Sequence, residues 1–183
     1  MSTRTVTEME QRLEPAQWYG TLPTFLASAS ALITDPSGTS VLAVKPNYRP
    51  WWNVPGGILE ADEPPHVACG REIAEELGIT IEVGRLLVVD WVPPNAERQA
   101  WFGFIFDAGV LEDGSGITLQ ATELDAFAFV ARAQLRERLT ANTADRIDAA
   151  LRARATGDVV YLYNGVPVPQ INSDVVLRDG SVP

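Results

Sequence analysis

The sequence predicts an α/β chain of the α+β type, a mixed β-sheet sandwiched between helices. Three observations predict it. Stretches rich in β-branched and aromatic residues lie on both sides of one strongly helical segment, turn signals separate them, and a second helical stretch follows the last long strand. Residues 5–15 read as a short helix, punctuated by Pro15 and Pro23. "FLASASALIT" and "SVLAVKP" read as two strands joined at "DPSG", with Pro second and Gly last in the turn. "WWNVPGG" reads as a short strand ending in a Pro-Gly-Gly turn. "EPPHVACGREIAEEL" reads as a helix that tolerates Pro in its first turn and stops at Gly78. "IEVGRLLVVDWV", "QAWFGFIFDAGVL" and "DAFAFVA" follow as strands. Residues 132–156 read as one or two helices, broken near "TANT". "VVYLYNGVPV" carries an Asn-Gly hairpin signal. The organisation expected is an extension over 1–22, one domain over 23–155, and a hairpin and tail over 156–183.

Composition narrows the function. The formal net charge of −10 argues against binding the phosphate backbone of nucleic acid, which requires clustered cations. A small phosphorylated substrate arriving with a divalent cation stays compatible. Lys45 is the only lysine, so arginine carries almost all the positive charge. A single cysteine, Cys69, leaves no internal disulfide framework. The first fifteen residues carry acids where a signal peptide needs an apolar stretch, and "LPTFLASASALI" is too short and too rich in Ser and Thr to cross a bilayer. A soluble cytoplasmic protein without membrane partners is expected.

One stretch conflicts with helix electrostatics. "REIAEELGI" places Glu72, Glu75 and Glu76 in the last turns of a helix, where the macrodipole disfavours anions. Their i, i+3, i+4 spacing puts them on a shared face, and Arg71 is one cation against three acids. On a solvated face the repulsion is tolerable. In a cleft, carboxylates about 5 Å apart repel by roughly 3 kcal/mol per pair at an effective dielectric near 20. Such a cluster calls for a cation, and Mg²⁺ prefers carboxylate and phosphate oxygens. Val67, Ile73 and Leu77, with Ala68, Cys69 and Ala74, would form the apolar side of this helix.

The surrounding residues decide between the two. From Gly57, five residues lead to Glu63, seven more to Arg71-Glu72, and then Ile73, Glu75-Glu76, Gly78 and Ile79 come in fixed spacing. This stretch, 57–79, resembles the Nudix box, G-x5-E-x7-R-E-U-x-E-E-x-G-U, at every specified position. The resemblance implies a Nudix-like fold and a Mg²⁺- or Mn²⁺-dependent hydrolase that cleaves the pyrophosphate bond of a nucleoside diphosphate linked to another moiety. It implies Glu72, Glu75 and Glu76 as metal-binding carboxylates, with the carbonyl of Gly56 as a backbone ligand. Arg71 would orient the glutamates, and Glu63 would stabilise the loop–helix–loop. Glu123 stands where relatives often place a further metal-binding or basic carboxylate, and Glu97 is a second candidate.

For substrate, "KPNYRPWW" offers Lys45 and Arg49 to phosphate and Tyr48 and Trp51 to a base; Trp52 is expected in the core. Pro94 lies sixteen residues past Gly78, a spacing found in ADP-ribose pyrophosphatases, and tilts the expectation toward ADP-ribose or a similar nucleotide sugar. His66 is expected on the surface and Cys69 in packing. The other readings are a non-catalytic nucleotide-sensing module of the same fold and a hydrolase of (d)NTPs. The tail is expected to complete a homodimer or to cover a sheet edge.

Overall fold

The computed structural model describes residues 14–169. The helix expected over residues 5–15 falls almost wholly outside them. The first described element is a short helix, α1 (Pro15–Tyr19). Strands β1 (Leu26–Thr34) and β2 (Ser40–Pro46) form the expected hairpin, its turn closed by Gly38 N–H donating to the Asp35 carbonyl.

The next strand differs from expectation. Trp52 and Asn53 make only isolated bridges, and the strand β3 (Gly56–Ile58) is built from the Gly-Gly pair itself. The reason is steric. β3 lies so close to β1 that a Cβ on Gly56, whose φ is 140°, would sit 2.3 Å from the Ala29 carbonyl oxygen. Only glycine allows that approach.

Helix α2 (Pro65–Leu77) comes next, stopped by Gly78 in the left-handed conformation. Its buried stripe runs through Cys69, Ile73, Glu76 and Leu77, at helical spacings of three and four. Val67, expected on the apolar side, lies off this stripe and is half exposed. Strands β4 (Leu86–Val92), β5 (Trp101–Val110) and β6 (Leu124–Ala131) complete the long strands. The C-terminal helical stretch divides into α3 (Leu135–Arg138) and α4 (Ala141–Thr156), with Thr140 capping α4 by accepting from the Thr143 N–H. The Asn-Gly hairpin forms β7 (Val160–Tyr163) and β8 (Val166–Pro167). Asn164 and Gly165 both take positive φ at its turn, as a two-residue hairpin requires.

The strands form one mixed sheet in the order β6-β2-β1-β5-β4-β7-β8, with β3 beside β1. β1 runs parallel to β5 and β4 parallel to β7. Helix α4 covers one face, packing Ile147 and Ala150 on Leu32, Val88 and Leu162. Helix α2 covers the other, packing Ile73 and Leu77 on Ala31, Ile33 and Leu42. One irregularity positions the site. β2 meets β1 only at the hairpin end, Thr34 opposite Val41, while β3 takes the Ser28–Ser30 part of that same edge. β2 therefore splays from β1, and the connection over residues 47–55 lies between them. Among the described residues no helix is long and apolar enough to cross a membrane.

Candidate active site

A cavity of about 640 Å³ opens at this splay. β1 supplies Ser28 and Ser30, β3 supplies Gly56 to Ile58, and α2 supplies Glu72 and Glu76. The loop before β6 brings Glu123, and the connection after β2 brings Tyr48, Arg49, Trp51 and Trp52. A second concavity of about 610 Å³ lies beside α3 and α4, where Arg132 is already paired with Asp148. Only the first brings several carboxylates together.

Glu76 dominates the acidic end. It sits in the core stripe of α2 with only 8% of its surface exposed, and its Oε2 accepts the Gly56 N–H at 2.9 Å. Burial pushes its carboxyl up to about 7, and the negative charges of Glu72, Glu123 and Glu75 add to the rise against the Gly56 N–H, which lowers it. Glu72 is also pushed up, first by burial and then by Glu75 and Glu123, with Arg71 opposing. These carboxylates sense one another across the cavity.

Arg71 organises the rest. Its Nε and Nη2 grip both oxygens of Glu63 at 2.9 Å, and Nη2 also donates to the Ile58 carbonyl. Its Nη1 donates to Glu72 at 2.9 Å and to Glu75 at 3.0 Å. The fork geometry of arginine is what allows one side chain to meet three acids. The hydrogen bonds from Arg71 and from the Glu60 N–H hold the Glu63 carboxyl below its ordinary range. Glu63 thus ties the loop before α2 to the helix.

The sequence-predicted residues are distributed unevenly. Glu72, Glu76, Glu123, Gly56, Tyr48, Arg49 and Trp51 line the cavity, as does Trp52, which also packs against the core. Glu75 is half exposed and turned to Arg71. Lys45 does not line the cavity; its Nζ donates to the Pro46 and Arg49 carbonyls and braces the loop. Glu97 and Pro94 are exposed on the loop before β5, outside the cavity lining. His66 is exposed, and Cys69 is buried with its thiol pushed up to about 12, by burial first.

Sequence reasoning missed part of the lining. Arg98 reaches the cavity with its guanidinium stacked on Trp101, 4.6 Å from the ring centroid. Asn142, Thr143 and Arg146 arrive from the start of α4, and Asn164 from the hairpin turn. The Asn-Gly turn signal was visible, but its docking onto α4 rests on contacts between residues far apart in the chain.

The acids suit a divalent cation in their chemistry. They are oxygen donors, and two of them are held above their ordinary range by burial and mutual repulsion, which a cation relieves. As they stand, no three acidic, His or Cys side chains among the described residues converge to enclose an ion, because Arg71 holds Glu72 and Glu75 while the Gly56 N–H holds Glu76.

The family model described as NUDIX domain matches residues 24–151. The chain belongs to the NUDIX family. The matched residues run from just before β1 into α4 and include the acidic α2 stretch. A MutT-like protein of Streptomyces ambofaciens is 36% identical over 64 residues, 35% of this chain and 41% of that one. The match thus spans less than half of that curated relative. Among solved structures, a MutT NUDIX hydrolase from Burkholderia pseudomallei is 27% identical with a TM-score of 0.58, covering 72% of this Nudix chain and 98% of that one. The NUDIX domain of Shewanella oneidensis NrtR, solved with ADP ribose, has a TM-score of 0.62 at 17% identity, covering 79% of this chain and 100% of that one.

Proposed function

We propose that this Nudix protein is a Mg²⁺- or Mn²⁺-dependent hydrolase that cleaves the pyrophosphate bond of a nucleoside diphosphate linked to another moiety. The observation that carries the reading is the buried Glu76, raised to about 7 by burial and by Glu72 and Glu123 inside a cavity that also holds arginines. Such a site is complete only with a cation and a polyanion. Glu72 and Glu76 would hold the metal, with Glu123 facing it, Glu75 at the exposed edge and Gly56 beside it. A bound divalent cation neutralises the diphosphate and acidifies the attacking water.

The chain's own groups divide the remaining work. Arg71 orients Glu72 and Glu75, while Glu63 fixes Arg71. Arg49, which donates to the Tyr48 hydroxyl, and Arg98, whose Nη1 donates to backbone carbonyls, have no carboxylate partner among the described residues. They are suited to the diphosphate oxygens. Glu123, exposed at the cavity edge, would take a proton from water. Tyr48 and Trp51 offer exposed rings to the nucleoside. ADP-ribose and nucleotide sugars are the first substrates to test, supported by the domain of this fold solved with ADP ribose.

The test is turnover with Mg²⁺ or Mn²⁺ across ADP-ribose, nucleotide sugars, dinucleoside polyphosphates and (d)NTPs, with products identified by mass. A nucleoside monophosphate should appear with the intact protein and not with Glu76→Gln. No turnover across the panel, or full turnover by the variant, overturns the reading. Tight nucleotide binding without turnover would instead favour a sensing module.

A further inference from the structure

Helix α2 covers only part of its face of the sheet. It packs over β1 and β2, on Ala31, Ile33 and Leu42, while β4, β7 and β8 lie beyond it. The strand pairings set two rows of side chains across that uncovered end. One row runs Val166, Tyr163, Trp91, Phe102, each opposite the next on the neighbouring strand. The other runs Val168, Tyr161, Val89, Phe104, the first two joined by the Val168 N–H donating to the Tyr161 carbonyl. Residues directly opposite share a face, and alternation sends Leu162, between the two tyrosines, to the α4 side, where it is fully buried. Phe25 sits on the first row, edge-on to Trp91 at 5.0 Å and to Phe102 at 5.9 Å between ring centroids.

This end of the face is apolar and open. Neither row contains a charged residue. Phe25, Tyr161, Tyr163, Val166 and Val168 are 46%, 48%, 52%, 63% and 39% exposed, and Val89, Trp91, Phe102 and Phe104 are partly exposed beside them. At about 200 Å² for an aromatic side chain and somewhat less for valine, these fractions leave on the order of 500 Å² of apolar surface in one patch. A patch of that size is at the upper end for a monomer and often functional. Its make-up, aromatic and without charge, is that of the core of a protein interface.

Several occupants do not fit. A peptide cannot add as a further strand beside β8. Val168 turns its N–H inward to Tyr161, so residues 167 and 169 turn outward, and both are proline, which has no N–H to give. An anionic lipid surface and nucleic acid both call for clustered cations, which these rows lack in a chain of charge −10. A second copy does fit. In a two-fold contact the same patch meets itself, so an uncharged aromatic face finds an uncharged aromatic face. Two copies bury about 1,000 Å² from these residues alone, before any polar rim, and a specific interface needs about that much.

We infer that the aromatic face of β4, β7 and β8, with Phe25, is the contact of a two-fold homodimer of this chain. The inference stands apart from the hydrolase reading. The hairpin that the contact braces also carries Asn164 into the cavity lining.

Sedimentation equilibrium of the full chain tests it. At about 50 µM the chain should sediment as a dimer, and raising NaCl from about 50 to about 500 mM should lower the dissociation constant by at least about threefold, because salt screens the repulsion between two chains of charge −10 while the apolar contact persists. Tyr161→Lys combined with Tyr163→Lys puts charge at the centre of the contact on side chains already half exposed. It should raise the dissociation constant by at least about thirtyfold with an unchanged far-UV spectrum. Val110→Lys, at an equally exposed valine at the far end of β5, should leave the dimer intact. Tyr163→benzoylphenylalanine should photocross-link two copies, with the adduct on Phe25, Trp91 or Tyr161 of the second copy. A monomer at that concentration, a dimer weakened by salt, or a dimer that survives both lysines overturns the inference. So does an adduct to residues 1–13 or 170–183 of the same chain, which would make a terminal segment the occupant of this face.

Discussion

Replacing Glu76 by glutamine should abolish activity and stabilise the metal-free protein. Glu76 is 8% exposed, and its carboxyl is held at about 7 against an ordinary 4.5. Between those values the folded chain binds more protons than the unfolded one. Stability is therefore fully present below pH 4.5 and is lost as pH rises toward 7. The gap corresponds to about 3 kcal/mol. Glutamine keeps an oxygen for the Gly56 N–H and cannot ionise. For a chain of this size, 3 kcal/mol moves Tm by about 6–12 °C. Thermal unfolding in EDTA at pH 8 should show Glu76→Gln melting higher than the parent by that amount, and the difference should vanish near pH 4.5. Adding Mn²⁺ should narrow the gap at pH 8, because the parent gains more from the ion. A variant less stable than the parent at pH 8 in EDTA, or equally stabilised at both pH values, would refute the reasoning.

The glycines of β3 give a contrasting pair. A Cβ on Gly56 meets backbone, so Gly56→Ala should destabilise the fold by more than about 2 kcal/mol in urea unfolding. A Cβ on Gly57 would lie 2.4 Å from Glu72 Oε1, a movable side chain, so Gly57→Ala should cost more than about tenfold in kcat/KM with a smaller loss of stability. Arg71→Lys should recover little of the activity lost in Arg71→Ala, since an ammonium cannot grip Glu63, Glu72 and Glu75 together; steady-state kinetics of both variants check this. Asp90→Ala strands Arg146 and frees the hairpin turn, and should lower stability by about 3–5 kcal/mol in chemical denaturation. Cys69, with its thiol pushed up to about 12, should resist alkylation at pH 8 until the protein is unfolded, as read by mass shift.

How much of this was legible in the sequence depended on the range of the interaction. The strands, the α2 stop at Gly78 and the break before α4 follow from local patterns and appear where expected. The acid set was legible because its spacing lies within one helix and the loop before it. The Gly56–Ile58 strand was not, because its cause is contact with Ala29 on another strand. The burial of Glu76 was hidden too: helix spacing places three glutamates together but does not reveal that one faces the core stripe. Arg146 looked like any arginine of a charged helix until the fold set it against Asp90, 56 residues earlier.

The most direct test of the central claim is a calorimetric Mn²⁺ titration at pH 6.5 in two buffers of different ionisation enthalpy. With Glu76 held at about 7, the carboxyl is mostly protonated at that pH, and a cation bound there must displace the proton. The account predicts Mn²⁺ binding with a buffer-dependent heat that reports release of most of one proton, and loss of that release in Glu76→Gln. Binding without proton release, or release unchanged in the variant, would contradict it.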